Sequence, residues 1–97
     1  MFIRVYPISC DEGYYSPYFD YSEYYIERPL KSKVINTSHI MEISIECKNP
    51  RMDLSNKKIF EKIFDKKIEN LVIYHIKFSD NTEELIIGPK DKYDNIK

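Results

Sequence analysis

Two stretches of the chain alternate apolar and polar residues with a period of two. Over Ile40–Cys47, Met41, Ile43, Ile45 and Cys47 fall on one side, and Glu42, Ser44 and Glu46 on the other. Successive side chains on an extended backbone point to opposite faces, so this pattern predicts a half-buried antiparallel strand. Over Leu71–Phe78, Val72, Tyr74, Ile76 and Phe78 share one face, with His75 on the other. Ser79-Asp80-Asn81-Thr82 follows, and such residues hydrogen-bond locally and accept left-handed backbone. Glu84–Ile87 is therefore predicted to return as a hairpin partner, stopped by Gly88-Pro89. Shorter strand signals lie at Met1–Ile8, closed by Asp11-Glu12-Gly13, and at Leu30–Ile35.

Between the two firm strands the period changes. Lys48-Asn49-Pro50 breaks the first, after which Ile59, Phe60, Ile63, Phe64 and Ile68 recur at helical spacing. Lys57, Lys58, Glu61, Lys62, Asp65 and Lys66 fill the opposite face, and Lys57 and Glu61 are one turn apart. Ser55 offers an N-cap and Asn70 a stop, which predicts an amphipathic helix over about 55–68. The sum is an α+β fold: an antiparallel sheet of about four to five strands with this one helix packed on one face.

Ninety-seven residues, 42% of them hydrophobic, suit a single domain spanning 1–97, with a polar C-terminal tail over 89–97. Fifteen basic and sixteen acidic side chains leave a formal charge of −1. Nucleic-acid binding draws its affinity largely from phosphate neutralisation, so no direct nucleic-acid partner is expected. The charge is unevenly placed: Arg4 and Arg28 are the only basic residues before Lys31, and the remainder is lysine-rich. No apolar run approaches the roughly 20 residues that cross a bilayer, so no membrane role is expected. Cys10 and Cys47 make no metal or redox motif and read as free thiols in a reducing, cytoplasmic setting. Fifteen Ile, twelve Lys and nine Tyr against no Ala point to AT-rich coding, as in a low-GC bacterium or its phages.

The residues for several chemistries are missing. Phosphate-cradling loops need clustered glycines so that backbone amides can approach the phosphate. The chain has only Gly13 and Gly88. Cys10, His39, Cys47 and His75 lie eight to thirty residues apart, unlike the close pairs of zinc sites, so neither metal nor cofactor is expected. His39 and His75 have the side chain for acid–base work but no second catalytic group at motif spacing, and no catalytic residue is assigned. The lysines of the helix read as an ordinary solvated face.

The stretch 11–29 is different: a tyrosine-rich acidic excursion. Six Tyr and one Phe fall within Tyr14–Tyr25, among Asp11, Glu12, Asp20, Glu23 and Glu27. Pro17 and Pro29 argue against a central sheet position and favour an edge strand around Glu23–Glu27. Tyr supplies large, rigid contact area at low entropic cost, and carboxylates among the rings select a basic partner. The candidate partner-binding residues are Tyr14, Tyr15, Tyr18, Phe19, Asp20, Tyr21, Glu23 and Tyr24. The bland alternative is that these rings roof the sheet face the helix leaves bare.

The expected function is that of a small non-enzymatic interaction module. It would be an inhibitor that binds the basic surface of a nucleic-acid-handling protein, in a phage anti-defence (anti-CRISPR-type) or toxin-immunity role. The alternative is a nucleotide or small-molecule binding module built on the same tyrosines, with weak His-dependent catalysis. Homodimerisation through an exposed sheet edge is left open.

Overall fold

In the computed structural model, described over residues 1–11 and 25–93, eight strands and one α-helix follow one another along the chain. The strands are β1 (Phe2–Val5), β2 (Ile8–Asp11), β3 (Tyr25–Pro29), β4 (Lys33–Asn36), β5 (Ile40–Cys47) and β6 (Arg51–Met52). The helix α1 (Leu54–Phe64) precedes β7 (Leu71–Phe78) and β8 (Glu83–Pro89). Three small sheets result, in the orders β1-β4, β2-β3-β6 and β5-β7-β8. The class is α+β as expected, but three sheets of two or three strands replace the single sheet of four to five.

The division begins at Pro7. Met1–Ile8 was expected to form one strand, but proline lacks the amide that would continue a ladder. β1 accordingly pairs with β4, and β2, beyond the break, pairs with β3. Pro7 itself bridges to Ile86 on the outer edge of β8, where the Ile87 amide donates to the Tyr6 carbonyl at 3.0 Å. Both layers of the molecule are thus hung from one strand edge.

The β5-β7-β8 sheet lies between them. One core gathers Val5, Val72, Tyr74, Ile76, Ile86 and Tyr93, with Ile3 and Ile35 of the β1-β4 pair packed against it. The other gathers Ile8, Ile26, Phe60, Leu71, Ile73 and Ile87. The sheet face that the helix does not cover is therefore roofed by β1 and β4.

The β7-β8 hairpin forms around the predicted turn at 79–82. Asn81 adopts a left-handed φ of 70°. Thr82 donates its hydroxyl (2.6 Å) and its amide (3.0 Å) to Asp80 Oδ1, and these bonds hold the Asp80 carboxyl below its ordinary range. β5 departs from its predicted alternation. Its ladder with β7 slips after Ile40 and again after Ile45, so Ile40 and Ile43 reach one core and Cys47 the other. Met41 and Ile45 are left 60% and 44% exposed. Each extra residue in a bulge reverses the side-chain parity beyond it, which strict alternation does not foresee.

The helix is shorter than predicted and starts earlier. Asp53, rather than Ser55, is the N-cap, accepting the Asn56 amide at 2.8 Å. The helix ends where Asp65 turns left-handed (φ 51°), well before Asn70. Ile68 instead opens a single 3-10 turn, its amide donating to Glu61 Oε2 at 2.9 Å. Of the predicted stripe, Phe60 is fully buried, a contribution of about 1.5–3 kcal/mol before entropy. Ile59 and Ile63 stay 42% and 40% exposed.

The boundary at 89 also shifts, since Pro89 closes β8 and Tyr93 is buried in the first core. The Tyr93 ring meets Tyr74 edge-on at 4.9 Å and lies over Gly88, where an added Cβ would come within 3.0 Å of Cε2. What constrains position 88 is that close approach, not a left-handed backbone angle. Burial pushes the Tyr93 phenol up to about 12.

Candidate functional site

The expected partner-binding residues Tyr14, Tyr15, Tyr18, Phe19, Asp20, Tyr21, Glu23 and Tyr24 lie outside the described residues. What is described is the platform from which their segment departs and to which it returns. Asp11, the last residue of β2, is paired with Tyr25, the first of β3, so the ends of 12–24 are neighbours in one antiparallel ladder. β3 was expected at an edge because of its prolines, yet it is central, between β2 and β6. Pro29 stands at the last position of the strand, paired with Ile8, where a missing amide interrupts nothing further along.

The platform is fixed from below. Ile26 is fully buried, and the Asn56 side-chain amide of α1 donates to the Glu27 carbonyl at 3.0 Å and the Ile26 carbonyl at 3.4 Å. Asn56 is buried although polar, and its amide satisfies strand carbonyls that a helix packed above would otherwise strip of water. On the far side of β3, the two-residue parallel strand β6 sets Arg51 opposite Tyr25. That arginine was missed by sequence reasoning, which saw only a break at 48–50. Two residues are too few to give a period.

The histidines occupy separate environments. His75 lies opposite Tyr74 as expected, on the sheet face bearing Ser44, its cross-strand partner. Its Nε2 is 3.1 Å from Glu83 Oε1. His39 is exposed at the end of a 3-10 turn, its carbonyl accepting the Ser79 amide at 2.8 Å. Cys10 and Cys47 are half-buried and packed against the second core. Among the described residues, no three His, Cys, Asp or Glu side chains are grouped to hold a metal ion. Among the same residues, no helix is long and apolar enough to cross a membrane.

The structure also assembles one feature the sequence did not show. Lys66, just past α1, and Lys90 and Lys92, just past β8, line a cavity of about 390 Å³ with Asn70, Pro89 and Asp91. The Lys90 amide donates to the Asn70 carbonyl at 3.1 Å, which ties the two turns together. The Tyr74 hydroxyl lies 2.6 Å from the Pro89 carbonyl and 2.5 Å from that of Lys90, holding the second turn from within. The Lys92 ammonium stands 5.7 Å from the ring centres of both Phe64 and Tyr93. Of the lysines predicted for the helix face, Lys66, which falls beyond the end of α1, alone joins this group.

No family model, curated protein or solved structure matches this chain.

Proposed function

We propose that the protein is a small interaction module that presents the acidic tyrosine segment to a basic surface of a partner protein. The observation that carries this reading is the pairing of Asp11 with Tyr25. The most aromatic and acidic stretch of the chain is held at both ends by adjacent strand positions on a platform with buried Ile26 beneath it. A contact segment anchored at neighbouring points gives up less freedom on binding than one anchored at a single end. The first core is already closed by β1 and β4, which removes one structural reason for so many rings.

A basic surface facing such a segment is the kind that nucleic-acid-handling proteins carry. The finer reading is therefore an inhibitor that occupies such a groove in place of nucleic acid, in an anti-defence or toxin-immunity role. Its test is a co-purified, identified partner whose affinity for the protein falls as salt rises. Joint replacement of Tyr18, Asp20 and Tyr21 by Ala should abolish that complex while the melting temperature of the free protein stays unchanged. A triple variant that melts like the parent and keeps full affinity defeats the reading.

A further inference from the structure

We infer that the cleft between the end of α1 and the turn after β8 binds a small phosphate-bearing anion through Lys66, Lys90 and Lys92. The argument starts from charge. Three lysines and one acidic residue, Asp91, are among the residues that line a cavity of about 390 Å³ in a chain whose net charge is −1. Like charges gathered in a cleft repel one another, and a multiply charged anion between them converts that repulsion into attraction. Lysine is a compact point charge with three donors, and it serves phosphate well where no planar, two-pronged geometry is required.

The cleft is also built rather than incidental. Its two walls come from turns far apart in sequence, joined by the Lys90 amide to Asn70 carbonyl bond. The Tyr74 hydroxyl beneath the Pro89 and Lys90 carbonyls fixes the second wall to the core. Lys92 is held against the faces of Phe64 and Tyr93, so less side-chain freedom is lost when it meets an anion. The volume lies near the lower end of the roughly 300–1,000 Å³ of small-ligand sites, a fit for one phosphoryl or pyrophosphoryl group and what it carries. This site has the opposite charge to the tyrosine segment and stands on different elements, so it survives or fails independently of the protein-binding reading.

The test is a titration of the full chain with sodium pyrophosphate and, separately, AMP, followed by amide NMR shifts at constant ionic strength. Saturable shifts confined to residues 66–70 and 90–92 are expected. K90A combined with K92A should weaken binding roughly tenfold or more, as loss of charged hydrogen bonds does. K58A combined with K62A removes the same charge from exposed positions of the helix and should leave affinity unchanged. Absence of saturable shifts at about 10 mM ligand, a regime weaker than millimolar recognition, overturns the inference. So does equal weakening by the K58A/K62A pair, which would mean diffuse attraction. Binding to a single-stranded oligonucleotide with none to pyrophosphate or AMP overturns it as well.

Discussion

β5 and β7 are each eight residues long and lie side by side in one antiparallel ladder, yet they live in different surroundings. β7 has a strand on either side and a core against each face, with Leu71, Val72, Ile73, Tyr74 and Ile76 all buried. Among the described residues β5 has β7 on one side only, slips register twice, and leaves Met41 and Ile45 in contact with water. The sequences carry the difference in a form that is easy to misread. Clean alternation in β5 marks a strand wet on one side, whereas the unbroken run Leu71–Tyr74 marks one buried on both. Bulges and the outward Glu42 and Glu46 are what an edge strand uses to resist pairing with another chain. The more regular pattern therefore belongs to the more peripheral strand.

The contrast is open to direct test. Ile76→Ala, at a fully buried site, should lower unfolding free energy by about 2–5 kcal/mol, while Ile45→Ala on β5 should cost far less. Chemical denaturation of the two variants decides, and equal losses would break the distinction. A smaller effect is expected from Gly88→Ala on β8, since the new Cβ meets the Tyr93 ring at 3.0 Å. Overpacking of this kind costs about 1–3 kcal/mol, and a Gly88→Ala/Tyr93→Leu double variant should recover part of it in the same assay. The helix offers the same lesson within three residues. Asp53→Ala should cost about 1 kcal/mol through the lost cap, and Ser55→Ala should cost only a few tenths.

The last test changes nothing at neutral pH. Tyr93 ionises near 12 when folded against an ordinary value of 10, so the neutral phenol is the form the native state favours. Its contribution is fully present below about 10 and is lost as pH climbs from there toward 12. Tyr93→Phe should flatten that part of the alkaline stability curve, measured by denaturation across the range. Its hydroxyl has no hydrogen-bond partner among the described residues, so the same variant should not lose stability at pH 7.

The β7-β8 hairpin, the existence of α1 and the placing of His75 opposite Tyr74 were legible because each depends on period or turn chemistry within a dozen residues. The tighter features were not. Ser55 and Asp53 are both good caps, and the choice fell to the residue whose position let Asn56 face β3. A sheet break at Pro7 was visible as a residue but not as an architecture. Which strand takes each half of Met1–Ile8 depends on β4 and β3, both more than a dozen residues away. For the proposed contact segment, the sequence supplied its aromatic and acidic character, and the structure added the platform and Arg51.

By itself, then, the sequence determined that the chain builds an α+β core, where its firm hairpin and helix lie, and that its aromatic and acidic residues collect in one segment. These follow from local backbone sterics and from the burial of periodic apolar side chains. Only the tertiary structure decided that the sheet divides in three, that β5 is an edge among the described residues, and that Lys66, Lys90 and Lys92 line one cleft. Those outcomes rest on contacts between residues 14 or more positions apart, and such contacts compete globally for the same buried surface, so no local pattern encodes them.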